Sequence, residues 1–189
     1  NVFTGDPNYY SSTTVDGSDL GKGGIVVKGT HNVGVSLSKQ IGSNLIGNIS
    51  NLNISVNGIK NIGILRRTDY AQTGNMVFTT SHIQNLNFGA NASESVLLRT
   101  DNGNITLDRD ITINSGLGNN IVLQANGAGT SVINNSGRTI TLDTGAKTSV
   151  GMLSSGSGSL ENKGTINVKE GSSQGLAILS SSSGANSGA

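Results

Sequence analysis

The feature that most constrains this chain is a pair of short apolar segments that recurs six times along its 189 residues. Each segment holds two apolar residues separated by one other residue. The second segment follows the first after ten residues in five units and after eight in the first unit, and successive units begin 25 to 34 residues apart. Repetition at such a period indicates a solenoid. The paired segments are Ile25/Val27 with Val33/Val35, Leu52/Ile54 with Ile62/Ile64, Leu86/Phe88 with Val96/Leu98, Ile111/Ile113 with Ile121/Leu123, Ile140/Leu142 with Val150/Met152, and Ile166/Val168 with Leu176/Ile178.

An apolar residue at every second position is typical of a short strand with one buried face. Gly, Asn, Ser and Asp separate the segments, and these residues favour turns. A third, weaker apolar position precedes the first segments by six or seven residues, at Ile46, Ile105, Ile133 and Leu160. Since one short strand cannot bury its face alone, the units must stack. Three strand positions per unit predict an all-β, three-sided parallel β-helix with about six to seven coils.

Both residues of each apolar pair are expected to face the interior of this solenoid. A charge at such a position, for example from Ile121→Asp, is expected to break the stacking because it buries an unpaired carboxylate. Polar residues also recur. Asn135, Asn162 and Asn186 each stand two residues before a glycine, which predicts either an internal ladder of stacked amides or asparagines at left-handed turn positions.

Composition excludes several classes of protein and of site. The chain has no Cys, so it has no disulfide, thiolate metal site or cysteine nucleophile. Its net charge is +1 with no basic stripe, which argues against nucleic acid as a partner. No run of about 18 apolar residues occurs, so we expect no membrane insertion of this segment.

The pattern divides the chain into two parts. Residues 1–23 lack an apolar pair and are expected to form an irregular N-terminal segment or an incomplete coil. Residues 24–189 hold the β-helix coils and end in mid-repeat, so we expect a fragment of a longer solenoid.

Two stretches of the repeat carry a family resemblance. Asn162–Val168 followed by Gly171–Ile178 resembles the N-x-G-x-I-x-V and G-x-x-x-G-hydrophobic repeat of passenger domains in large fusobacterial-type autotransporter adhesins, and Gly24–Gly29 with Asn32–Val35 is a second copy. The resemblance implies a right-handed parallel β-helix that is exported by a type V pathway and has a role in virulence.

The same resemblance implies a location and partners. The chain would lie outside the cell, anchored in the outer membrane through a C-terminal translocator barrel beyond residue 189. Outward loops would attach it to a host or bacterial surface protein or glycan. No cofactor is implied.

The longest unit carries the candidate ligand-binding residues. Its extra residues follow Ile64 and include Arg66, Arg67, Asp69 and Tyr70, and insertions in solenoids form loops that often lie on the binding face. Arg99 occupies the matching region of the next coil. Arginine forks beside an aromatic ring are suited to an acidic or sugar ligand. The alternative is a solvated loop with the ion pairs Arg67–Asp69 and Arg99–Asp101.

Two other functions stay open beside adhesion. The first is a passive stalk that displays a distal binding tip. The second is an enzyme that acts on polysaccharides, in which Asp108 and Asp110, on one face of a strand, serve as acid and base or bind Ca²⁺. Carboxylates are too few for the clusters of β-helix enzymes, so we expect no enzyme. His31 and His82 lack partners at ligand spacing, so we expect no metal site.

Overall fold

The described part of the chain folds into β-strands and turns. The structure, a computed structural model, describes residues 2–4, 15–16, 24–37, 49–67, 75–113, 118–144, 146–170, 175–180 and 184–186. None of these residues lies in a helix, so they contain no helical segment able to cross a membrane. The strands are β1 (Val2–Thr4), β2 (Val15–Asp16), β3 (Ile25–Thr30), β4 (Val33–Leu37), β5 (Ile49–Ser50), β6 (Leu52–Ile59), β7 (Ile62–Arg66), β8 (Asn75–Thr79), β9 (Ile83–Phe88), β10 (Val96–Thr100), β11 (Gly103–Asp108), β12 (Ile111–Ile113), β13 (Ile121–Asn126), β14 (Thr130–Asn134), β15 (Thr139–Leu142), β16 (Val150–Ser155), β17 (Ser159–Asn162), β18 (Thr165–Val168), β19 (Leu176–Ser180) and β20 (Gly184–Asn186).

The strands follow one another around three faces of a solenoid in a fixed cyclic order. Face 1 is a seven-stranded sheet of β1, β4, β7, β10, β13, β16 and β19. Face 2 contains β8, β11, β14, β17 and β20, and the short pair of β2 and β5 takes the same place in earlier turns. Face 3 contains the sheets β3–β6–β9 and β12–β15–β18. The pairing within each sheet is parallel, which confirms the predicted parallel β-solenoid.

Four consecutive turns, from β7 to β18, give one strand to each face and are described with few gaps. This is fewer than the six to seven coils predicted, because much of the chain before β7 lies outside the described residues. Strands β1 to β6 extend the sheets at one end and β19 and β20 at the other. Within the segment 1–23, β1 pairs with β4 and β2 pairs with β5.

The ten-residue spacing predicts the register correctly on face 1. The six second segments, from Val33/Val35 to Leu176/Ile178, pair turn on turn as expected. The first segments of the last three units also align on face 3, from Ile111 to Ile166. Equal spacing places equivalent residues above one another because each turn of the solenoid adds one strand to every face.

The predicted first segment of the second unit is wrong by two residues. Ile25 pairs with Ile54 and not with Leu52, so the equivalent pair is Ile54/Val56. Strand β6 buries every second residue from Leu52 to Gly58. A uniform alternation over eight residues fits two registers equally well, because a slip of two keeps every side chain on the same side.

One of the weaker apolar positions is wrong by one residue. Val132 is fully buried on face 2, whereas the predicted Ile133 is only half-buried and pairs with Thr106 and Glu161. Two adjacent aliphatic residues do not reveal which one faces inward. Ile105 and Leu160 are buried as expected, and Ile46 lies outside the described residues.

The first residue of each face 1 pair lies outside the core cluster, contrary to the prediction, although two of the six are buried. Ile121 is only half-buried, and Val96 and Val150 lie outside the core cluster although they are 6% and 7% exposed. The two residues that follow do enter it, since Leu97 and Leu98 are both fully buried core members. Two successive side chains therefore face inward near the start of this strand, and the first residue of the pair faces out.

The predicted amide ladder is present, but it begins with Asn134 and not with Asn135. Asn134 Nδ2 donates to Asn162 Oδ1 at 2.8 Å, and both side chains are buried. Asn186 aligns with Asn162 in the next strand. Asn134 and Asn162 lie within strands, so the alternative of left-handed turn positions is wrong for them. Asn135 instead donates from Nδ2 to Asp108 Oδ1 at 3.2 Å, outside the core.

Candidate functional site

An open groove of about 370 Å³ runs along the outer surface of face 1. Its floor consists of aliphatic side chains that are stacked one per turn on β4, β7, β10 and β13. These are the outward members of the predicted pairs, and a recess of this size is in the range of small-ligand sites. The floor residues are Val33, Ile62, Val96 and Ile121; His31, Lys60 and Glu94 form one wall, and Arg99 and Gln124 form the other.

The wall that precedes the strands is a corner with left-handed backbone. Five residues, one per turn, have φ between 49° and 63°, and none of the five is glycine. Left-handed backbone costs about 1–2 kcal/mol for a residue with a side chain. Stacking offsets this cost, because the amides of the first four corner residues donate to the next turn, as in Lys60 N to Ser93 O at 3.0 Å. The corner residues are His31, Lys60, Glu94, Asn119 and Thr148.

A buried polar ladder stands directly behind this corner. It contains the residues directly before β7, β10 and β13, and its side chains bind the preceding turn. Asn61 Oδ1 accepts the Asn32 amide at 2.8 Å, Ser95 Oγ accepts the Asn61 amide at 3.1 Å, and Asn120 Oδ1 accepts the Ser95 amide at 3.1 Å. The ladder fixes the start of each strand and hence the spacing of the groove floor. Ser149 continues this buried column.

The groove walls carry charges of both signs. Lys60 Nζ lies 3.5 Å from Glu94 Oε2, and each side chain is about half exposed. Arg99 Nε lies 2.7 Å from Asp101 Oδ1, which confirms one of the ion pairs expected from the sequence. Asn126 Nδ2 donates to the same Asp101 oxygen at 2.9 Å. The walls are therefore polar but close to neutral.

Three of the five predicted ligand-binding residues are described by the structure, and they lie in different environments. Arg66 is fully buried, which contradicts its predicted role as a ligand-binding residue at the surface. Arg67 is exposed at the end of β7, and Arg99 borders the groove. Asp69 and Tyr70 lie outside the described residues, as does the pair Arg67–Asp69.

The buried position of Arg66 has a steric cause. It occupies the inward column of face 1 between Leu37 and Thr100, and the smaller Thr100 leaves room beside it. The guanidinium extends toward the next turn, where Nη1 donates to Asn104 O at 2.8 Å. It passes beside Gly103, at which an added Cβ would lie 2.5 Å from Nη2.

Gly103→Ala is expected to destabilise the fold by about 2–4 kcal/mol. Gly103 has φ +61°, so alanine adds backbone strain of about 1–2 kcal/mol, and its Cβ also collides with the Arg66 guanidinium. Gly137→Ala is the matched control because Gly137 has φ +73° and no atom within 4 Å of an added Cβ. Urea unfolding should show the larger loss for Gly103→Ala; equal losses would contradict the collision.

The two carboxylates considered for catalysis are engaged in structural hydrogen bonds. Asp108 Oδ1 accepts from Arg138 Nε at 2.8 Å, and Asp110 Oδ1 accepts the Thr139 amide at 2.8 Å. Both bonds attach the end of β11 to the following turn. Arg109, between the two carboxylates, donates from Nη1 to Ile83 O of the preceding turn. The local geometry thus assigns these carboxylates a role in turn stacking.

Asp108 is expected to stabilise the fold at neutral pH and to lose this contribution in acid. The hydrogen bond from Arg138 holds the pKa of Asp108 below its usual value, with Asn135 adding to the effect. A lowered folded pKa stabilises the protein above the unfolded pKa of about 3.9, and this stabilisation is lost as the pH falls through the folded value. The Tm difference between the parent and Asp108→Asn, at most about 4 °C for so exposed a pair, should vanish between pH 5 and the acid limit. A difference that persists unchanged in acid would contradict this linkage.

Neither histidine has metal-ligating neighbours in the described part of the chain. His31 lies in the groove wall, and His82 Nδ1 accepts the Thr79 amide at 3.2 Å within a turn. Across the described ranges, no group of three or more His, Cys, Asp or Glu side chains could hold a metal ion.

The groove was not predicted from the sequence, although the sequence contains a signal for it. The residue between the two apolar residues is polar in most face 3 segments, for example Thr112 and Thr141, but it is Gly63, Leu97 or Val122 on face 1. An apolar or glycine residue between two apolar residues indicates that alternation fails.

No family model, curated protein or solved structure matches the chain.

Proposed function

We propose that this chain is a segment of a bacterial cell-surface adhesin passenger that attaches to a host or bacterial surface molecule through the groove on face 1. The observation that carries the proposal is the groove, whose aliphatic floor lies between walls that carry charges of both signs and includes the half-buried Val33, Ile62 and Ile121. Export by a type V pathway and anchoring at the outer membrane belong to the same proposal and rest on the sequence resemblance.

The groove supports adhesion better than a general surface would. Outward positions on the other two faces are mostly polar, such as Asn104 and Ser131 on face 2 and Thr112 and Asn167 on face 3. Aliphatic groups collected on one face of a solenoid stabilise a complex when a partner covers them, whereas in isolation they remain in contact with water.

Binding of the labelled chain to host epithelial cells and to bacterial cells tests the proposal. Saturable binding is expected, and Arg99→Glu should weaken it at least about tenfold by reversing a charge in the groove wall. Arg138→Glu is the matched control, because Arg138 is also a surface arginine paired with an aspartate but lies outside the groove. Equal binding by both variants and the parent would exclude the groove.

A passive stalk that displays a distal tip is the second candidate. The ladder of Asn61, Ser95 and Asn120 favours it, because these buried side chains bind neighbouring turns and so stiffen the rod. An absence of saturable binding by the folded chain would support the stalk.

A further inference from the structure

Aliphatic side chains continue along the outer surface of face 1 beyond the groove. Two outward columns run along it, one starting each strand and one lying three residues later. Towards the end of the rod, Leu176 and Leu179 are 43% and 45% exposed. We call the aliphatic members of the two columns the face 1 patch, in which Val96 and Val150 are nearly covered at 6% and 7% exposed: Val33, Ile62, Leu65, Val96, Ile121, Val150, Leu153, Leu176 and Leu179.

We propose that the face 1 patch binds the same patch of a second copy of this chain, with the two rods antiparallel. This inference deepens the proposed adhesion, on which it rests, by naming the partner. A two-fold contact between identical surfaces is the commonest way in which soluble proteins associate, and it requires a surface that is complementary to itself.

The size of the patch suits a weak pair of this kind. Six strands spaced about 4.8 Å apart, each about 16 Å long, give roughly 400 Å² of flat area per copy. Protruding side chains add to the accessible area, so the total buried by two copies approaches about 1,000 Å², the lower limit for a specific interface. The dimer is therefore expected to be weak, so that the fraction of dimer rises with protein concentration.

Charges at the two corners of face 1 determine the orientation. Lys60 and Arg67 flank β7, and Glu94 and Asp101 flank β10, so these two turns each carry one sign at both ends. In a parallel pair of rods, equal turns meet with their strands reversed. That arrangement places Lys60 against Arg67 and Glu94 against Asp101, which is unfavourable.

An antiparallel pair avoids these contacts. A two-fold axis along the strands, between β10 and β13, places β7 against β16 and β10 against β13. Lys60 and Glu94 then face the turns of Thr148 and Asn119, which are neutral. Arg99, the charged residue within the outward columns, meets Gln124, whose amide oxygen accepts hydrogen bonds.

Sedimentation velocity over a concentration series tests the association. The parent chain is expected to dimerise, and Leu153→Lys should weaken dimerisation at least about tenfold by placing a charge in the patch. Ile133→Lys is the matched control, since Ile133 is an equally half-buried outward aliphatic on face 2. Circular dichroism checks that both variants fold. A parent that stays monomeric, or equal dimerisation by both variants, would overturn the proposal.

Cross-linking tests the orientation, and because the chain has no native Cys, only the introduced cysteines can react. A mixture of Leu65→Cys and Leu153→Cys chains should be joined by a short bis-maleimide, whereas neither variant alone should be joined to itself. Self-joining by each single variant would overturn the antiparallel arrangement. Cell binding by a strictly monomeric chain would overturn self-association and leave the proposed adhesion intact.

Discussion

Leu123→Asp is expected to unfold the middle of the rod, whereas Ile121→Asp, two residues earlier in β13, is expected to leave it folded. Leu123 is fully buried in the core cluster, between Leu98 and Met152 of the neighbouring turns. Replacing it removes about 2–5 kcal/mol of core packing and buries an unpaired carboxylate, which costs several kcal/mol more. Neither partner offers a hydrogen bond to that carboxylate.

Ile121 is equivalent in sequence pattern but differs in position. It lies in the groove floor and is half-buried, so an aspartate there reaches water and costs only about 1–2 kcal/mol of lost aliphatic contact. Far-ultraviolet circular dichroism and urea unfolding of the two variants provide the comparison. Equal unfolding by both would show that Ile121 faces the core, as the sequence pattern alone predicted.

This contrast shows how far a period of two can be trusted. The spacing of the pairs fixes which residues stack, because every turn must return to the same face, and the face 1 register from Val33 to Leu176 follows correctly. The same spacing does not predict whether a residue of the strand faces the core or the solvent. At Leu97 and Leu98 the alternation fails, and no period detects that failure.

The candidate site was less predictable than the fold for two physical reasons. The residue type of Arg66 predicts a solvated cation, but the small Thr100 and Gly103 of the next turn admit its guanidinium to the interior. That opening depends on residues 34 to 37 positions away in sequence, and no local motif marks it. By contrast, the pair of Arg99 and Asp101 was predictable because residues two apart on a strand share one side.

The polar ladder leads to a prediction about direction along the rod. Asn61 is fully buried, and its side chain binds only groups of the turn before it among its described contacts. Its Oδ1 accepts the Asn32 amide at 2.8 Å, and its Nδ2 donates to Val27 O at 3.3 Å and Gly29 O at 3.1 Å. Ser95 repeats this arrangement one turn later, where its hydroxyl donates to Gly58 O at 3.0 Å.

Asn61→Ala is therefore expected to destabilise the fold by about 2–4 kcal/mol, with the effect concentrated in the preceding turn. The loss arises because the part-buried amide of Asn32 and the carbonyls of Val27 and Gly29 go without their partner, at about 1–3 kcal/mol for each buried group left unsatisfied. Amide hydrogen exchange should show faster exchange in residues 24–37 and nearly unchanged exchange beyond β10.

Ser95→Ala provides the matched comparison, since its bonds reach the turn that contains Gly58 and Asn61. Its loss of protection should move one turn towards the C-terminus, into residues 49–67. If both variants lost protection equally on either side of the substitution, the ladder would be symmetric. Each turn would then depend equally on the turn before it and the turn after it. The hydrogen bonds indicate instead that each turn is held by a ladder side chain of the following turn.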